Sequence, residues 1–284
     1  VAEVLRLKNL QVSSPEARAL GARPLTPEMS ENFSIGLTLT PIPRLNITLD
    51  AYQVDVEDRI AVTTTFSPVD TRRSANGVTT IGQEIQNILV SNGLSPEISG
   101  QYYINAIDTR TRGFDAVATY RFSTDAAGEF DLSAAYNYNE TEITGVIDNP
   151  PELASLGNIV IFDRARQASL TESLPKSKLS LSGNWTLERF SANLRLTRFD
   201  GFMTRHATNP GLDREIEGAW IADLQVNYDL TESFRLTAGA NNIFNTYPTK
   251  VQEPSADLGS GMYNGLAPFG FTGGSWFVRG VYKW

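Results

Sequence analysis

Nine stretches of this chain alternate apolar and polar residues, and the connections between them run short, long, short, long without exception. The strands read as residues 31–40, 44–58, 113–122, 129–140, 176–187, 190–199, 219–230, 232–241 and 275–284. The short connections are 41–43, 123–128, 188–189 and residue 231; the long ones are 59–112, 141–175, 200–218 and 242–274. A two-residue period puts successive side chains on opposite faces, so each stretch has one apolar and one polar face. Short turns at one rim and long loops at the other describe an all-β, antiparallel transmembrane barrel of the bacterial outer membrane, whose single-chain members have an even number of strands. Nine is odd. The expectation is therefore a barrel portion that begins outside the cell and ends in the periplasm, with its upstream strands missing.

The faces can be read residue by residue. Phe33, Ile35, Leu37 and Leu39 stand opposite Asn32, Ser34, Thr38 and Thr40. Phe114, Ala116, Ala118, Tyr120 and Phe122 make another stripe, and Trp220, Ala222, Leu224, Val226 and Tyr228 a third. A soluble antiparallel sandwich alternates in the same way. Aromatics gathered at stripe ends, such as Tyr136, Tyr138, Trp185, Phe190 and Phe234, favour interfacial girdles and hence the membrane. Asp50, in mid-strand, is costly against lipid but ordinary against a wet lumen.

Composition narrows the function. The formal charge is −8 and the sequence pI about 4.8. Lysine and arginine are scattered, which argues against nucleic acid as a partner. There is no cysteine, so disulfides and thiolate metal sites are excluded. No apolar run approaches the ~18 residues of a transmembrane helix, as a barrel requires none. Within the first long loop, Thr80-Ile81-Gly82-Gln83 fits a capping box, and Ile81, Ile85, Ile88 and Leu89 follow at helical spacing before Asn92-Gly93. The spacing predicts a short amphipathic helix packed within that loop.

Four segments carry a family resemblance. Leu25-Thr26-Pro27-Glu28-Met29-Ser30-Glu31-Asn32-Phe33 leads into the first strand, and Asp50-Ala51-Tyr52-Gln53-Val54-Asp55 lies in the second. Thr111-Arg112-Gly113-Phe114-Asp115 opens the third, and Gly239-Ala240-Asn241-Asn242-Ile243-Phe244-Asn245 precedes Tyr247-Pro248. In this order they resemble the back half of TonB-dependent outer-membrane receptors. The resemblance implies a 22-stranded barrel filled by an N-terminal plug. Residues 1–30 would be an extracellular loop, and residues 31–284 would hold strands 14 to 22. It also implies the partners: outer-membrane lipid, the plug and upstream strands absent from this chain, the TonB complex acting through that plug, and a small-molecule nutrient such as a ferric siderophore. Tyr282 and Trp284 resemble the aromatic terminal signal read by the barrel assembly machinery. No cofactor is implied.

No catalytic constellation is present, and the expectation is a protein that is not an enzyme. His206 is the only histidine, so neither a two-histidine metal site nor a set of metal ligands is expected. The loop residues first suspected of meeting a ligand are Arg110, Arg112, Arg205, His206, Arg214, Tyr263 and Phe269. Guanidinium groups take carboxylate or catecholate oxygens and aromatic rings stack, and binding residues gather on loops. The Gly- and Pro-rich stretch 259–274 reads as irregular. An autotransporter translocator barrel is the first alternative, although the four long loops leave room for too few strands. A soluble β-sandwich binding module is the second.

Overall fold

The computed structural model describes residues 7–157, 159–250 and 262–284. Its centre is one nine-stranded sheet in which every strand pairs antiparallel with its neighbours in sequence. The strands are β1 (Met29–Ile42), β2 (Leu45–Val62), β3 (Tyr103–Thr124), β4 (Gly128–Val146), β5 (Ser177–Leu187), β6 (Phe190–Phe199), β7 (Ala219–Asp229), β8 (Phe234–Asn241) and β9 (Ser275–Tyr282). All nine lie in a single layer, so the facing sheets of a sandwich do not form.

Register makes the two faces continuous. Leu45, Tyr120, Leu132, Gly183, Leu194, Leu224, Ala240 and Trp276 stand opposite one another from β2 to β9. On the other face a row runs Gly36, Asp50, Asp115, Asn137, Lys178 and Phe199. Asp50 thus lies on the polar face. Polar side chains bond across strands there: Ser133 with Ser182 at 2.7 Å, Asn193 to Asn184 at 2.7 Å, and Asn137 to Asp115 at 2.6 Å. Cross-strand pairs of this kind are the unit of sheet stabilisation.

Strands rise further at the long-loop rim than the period alone predicts. β3 begins at Tyr103 rather than near Gly113, and β4 runs on to Val146. The alternation breaks there because bulges interrupt it, between Val56 and Arg59 and between Asp108 and Thr109. At the other rim, Arg44 and Glu188 adopt positive φ in two-residue turns. The β7–β8 turn spans residues 230–233 rather than Thr231 alone. Gly113 shows why a glycine stands inside β3: a Cβ there would collide with the ring of Tyr52, its register partner. The ring covers the bare backbone.

The hydrophobic core lies above the sheet, among the long loops. Helix α1 (Pro15–Ala19), helix α2 (Ile81–Ser91) and the 3₁₀ turn Pro151–Leu156 pack around Leu20, Phe66, Ile85, Leu89, Tyr102, Leu153 and Leu156, all at most 1% exposed. The predicted capping box forms, with Gln83 N–H on Thr80 Oγ1 and Thr80 N–H on Gln83 Oε1. Tyr102 Oη donates to Leu20 O at 2.7 Å and stacks on Phe66 with ring centres 5.7 Å apart. Burial pushes its phenol well above the usual value. A third helix, α3 (Arg164–Thr171), and a short hairpin of Phe202–Thr204 with Arg214–Ile216 complete the loop layer.

Candidate functional site

The ligand candidates fall into three groups. Arg110 and Arg112 lie on β3 four and two residues before Phe114, on the same face as that apolar stripe. Arg110 Nε donates to Asp55 at 2.6 Å, and Arg112 Nε to Gln53 at 3.0 Å. Arg112 also pairs loosely with Glu142 at 3.8 Å. These charges form a belt above the apolar band and continue its face, so they point away from the polar face with Asp50 and Asp115.

The second group is a latch between two loops. Asp213, its side chain 10% exposed, takes both ends of the Arg164 guanidinium at 2.9 and 2.8 Å. It also accepts Arg205 Nη1 at 3.0 Å and His206 N–H at 2.9 Å. Arg205 turns its other edge to Glu172 at 2.8 Å. Arg164 and Glu172 belong to α3 and its C-cap, whereas Arg205 and Asp213 begin and end the loop that joins the two strands of the short hairpin. The Arg164 guanidinium, aided by the His206 N–H and Arg205, holds the Asp213 carboxyl far below the usual carboxylate range. Such bidentate, charge-assisted bonds fix geometry as well as charge. Both arginines are committed to carboxylates, although a polar cavity of about 510 Å³ opens beside them.

His206 serves the same loop. Its Nδ1 accepts the backbone N–H groups of Thr208 and Asn209 at 3.2 and 3.1 Å, so that atom is occupied by a turn. Arg214 donates to Asp213 O at 3.0 Å. Among the described residues, no cluster of three or more His, Asp or Glu side chains could hold a metal.

In the third group, Phe269 meets the polar side. Phe269, in the last long loop, lies 5.8 Å from Phe199, and Lys178 Nζ stands 5.4 Å over the Phe199 ring. Phe199 and Lys178 are register partners at the long-loop end of the polar row. An aromatic pair beside an ammonium can meet a flat, anionic molecule. Tyr263, nearby in sequence, stacks on Tyr247 with ring centres 5.2 Å apart. Residues 259–261 of the Gly-rich stretch lie outside the described residues. Lys178 and Phe199 were missed because each stands beside residues of the apolar stripe. Only strand parity, counted from Leu179 on β5 and from Leu196 on β6, puts them on the polar face.

The family-like segments have structural duties. Thr26 N–H donates to Asn105 Oδ1 at 2.9 Å and Glu28 accepts Ile60 N–H at 2.5 Å, which fastens the chain leading into β1 to β2 and β3. Asn242, 7% exposed and at positive φ, receives Thr246 N–H at 2.9 Å, donates to Thr246 O at 2.7 Å, and bonds through its own N–H to Asp223. Asn245 then takes Gly274 N–H at 2.8 Å. The motif locks the end of β8.

Comparison with known proteins agrees with this architecture. The family model for the TonB dependent receptor-like beta-barrel matches residues 7–243. Among solved structures, the pyoverdine outer membrane receptor FpvA of Pseudomonas aeruginosa PAO1, bound to pyoverdine, aligns with a TM-score of 0.54 at 14% identity. That alignment covers 93% of this chain and 31% of FpvA. The outer membrane transporter YddB of Escherichia coli gives 0.54 at 10% identity, covering 91% and 33%. The FrpB iron transporter of Neisseria meningitidis gives 0.54 at 11%, covering 90% and 32%. The chain thus spans about a third of each of these proteins. Comparison with curated sequences gives no match. These findings displace the autotransporter alternative, and the chain belongs to the TonB-dependent receptors, as a portion of a β-barrel of the bacterial outer membrane.

Proposed function

We propose that this chain forms the last nine strands, numbers 14 to 22, of a plugged 22-stranded receptor that imports a ferric siderophore or similar chelate with energy from the TonB system. Receptors of this family are transporters rather than enzymes. The observation that carries the reading is the pairing of a one-sided apolar wall with a polar face that ends, at the long-loop rim, in Lys178, Phe199 and Phe269. A scarce, flat, anionic chelate would meet these groups on its way into the lumen. The packed loops above the sheet would form one side of its vestibule. FpvA bound to pyoverdine and the iron transporter FrpB are among the structural relatives, which supports a chelated metal as cargo. Lipid, the plug, the TonB complex and the barrel assembly machinery complete the set of partners.

The test is ligand binding by the full-length parent receptor. Ferric catecholate and ferric hydroxamate chelates are titrated against purified protein, with intrinsic fluorescence quenching as the readout. Expected is tight binding of one class, weakened tenfold or more by Lys178→Ala and Phe269→Ala. Arg110→Ala and Arg112→Ala leave it unchanged, because those side chains share the face of the apolar stripe. Binding of neither class would sink the iron reading. Sensitivity to the Arg110 and Arg112 variants alone would move the site off the polar face.

A further inference from the structure

The apolar face is not uniformly filled. Ala118, Ala134 and Gly183 stand together on β3, β4 and β5, and larger side chains, Tyr120, Leu132 and Leu194, rise around them. The result is a groove of about 420 Å³ whose lining is almost wholly apolar. At roughly 30 Å³ per group of water size, that volume holds on the order of fourteen such groups. This is the scale of the methylenes in one acyl chain. The groove lies on the face that the family places against lipid, so hydrocarbon is what reaches it.

Its depth selects the leaflet. Two residues further along each strand toward the short-turn rim, Phe122, Phe130 and Trp185 form the next row. Phe122 and Phe130 stack with ring centres 4.8 Å apart, and Trp185 Nε1 donates to Ala127 O at 2.7 Å in the β3–β4 turn. A row of aromatics next to turns marks a membrane interface, and short turns belong to the periplasmic side. The groove therefore opens toward the periplasmic leaflet. Below it, Arg44 and Arg189 are exposed in turns at the feet of β2 and β6. Among the described residues, neither is in an ion pair. Glu188 shares the Arg189 turn, and Asp125 sits in the β3–β4 turn between the two arginines. Charges of both signs at this rim complement a zwitterionic phosphate–ammonium headgroup better than a polyanionic one.

We propose that this groove is a seat for one acyl chain of a periplasmic-leaflet phospholipid whose zwitterionic headgroup lies at the short turns beneath it, between Arg44 and Arg189. The seat is a defined position on the wall, distinct from the rest of the lipid-facing band, where Val226, Ala238 and Val278 continue the apolar face.

The test uses the full-length parent receptor in nanodiscs doped with phosphatidylethanolamine carrying a diazirine on one acyl chain. After photolysis, labelled peptides are mapped by mass spectrometry. Expected is labelling several-fold denser over residues 116–134 and 181–196 than over 222–240 and 276–282. Ala134→Leu, which fills the groove, should lower it to the level of the rest, whereas Ala238→Leu on the same face should not. Even labelling of wild-type protein along the band would overturn the proposal without recourse to any variant. So would preferential labelling of the groove by a lipid A probe. A disulfide joining two receptors that both carry Ala134→Cys, obtained in place of lipid labelling, would assign the groove to a second copy and also overturn it.

Discussion

Phe66 and Leu194 are both large apolar residues, yet one is 0% exposed and the other 45%. Phe66 belongs to the loop layer, where α1, α2 and the 3₁₀ turn Pro151–Leu156 bury one another in the manner of a small soluble domain. Leu194 belongs to the wall, where the protein supplies the hydrogen-bonded ladder and the membrane supplies the apolar surroundings. The comparison teaches that apolar residues in this chain have two different solvents. The loops must exclude water by packing against themselves, so their burial is close to complete. The strands need only present hydrocarbon, so their apolar side chains stay open while their backbone groups pair from strand to strand.

The sharpest way to break that distinction is to cut into each region in turn. Phe66→Ala leaves a cavity beneath Tyr102, and a truncation of this kind costs ~3–5 kcal/mol. In the full-length receptor, hydrogen exchange should accelerate across α2 and residues 151–156 while β5 to β8 keep their protection. Equal loss in both regions would show that the loop layer is not a separate core. Leu194→Arg sets a charge against lipid one row from the interfacial aromatics, where the cost lies below the ~2–4 kcal/mol of the midplane. Heat-resistant folding in detergent should fall, and Leu194→Ala should have far less effect, because no cavity forms against fluid lipid.

A smaller effect, confined to the loops, is expected from Asp213→Asn. It removes the charge that joins Arg164 to Arg205, so limited proteolysis should open the segment 205–213 while the sheet stays intact. The same latch predicts an acid response. Asp213 has a folded value below its unfolded one, so its contribution is fully present above the ordinary carboxylate value of about 3.9 and is lost only as pH falls below it. Proteolysis at pH 5 should therefore match that at pH 7. Thr80→Ala is the mildest change. It removes one half of the α2 capping box at about 1 kcal/mol, read as faster exchange in the first turn of α2 alone.

The wall was legible because its signal is local. Leu45 to Leu49 or Trp220 to Tyr228 announces a face by alternation alone, and each loop–turn pair fixes whether the next strand runs up or down. The α2 capping box was legible for the same reason, since Thr80 and Gln83 meet within one turn. Arg205, His206 and Arg214 could be marked as loop residues, yet their roles depend on Asp213 and Arg164. Residues 164 and 213 come from different loops and meet only in the folded chain.

By itself, then, the sequence determined nine amphipathic strands, their up-and-down order, the polar side of Asp50 and the short helix in the first long loop. Each of these rests on periodicity or on residues a few positions apart. Only the tertiary structure decided which partner each cation meets. Arg112, midway along β3, and Lys178, at the start of β5, differ in face by strand parity, but register brings the first to Gln53 and the second to Phe199. A shift of one residue in a strand exchanges its two faces, and register is set by pairing between strands tens of residues apart, with bulges that no local pattern announces.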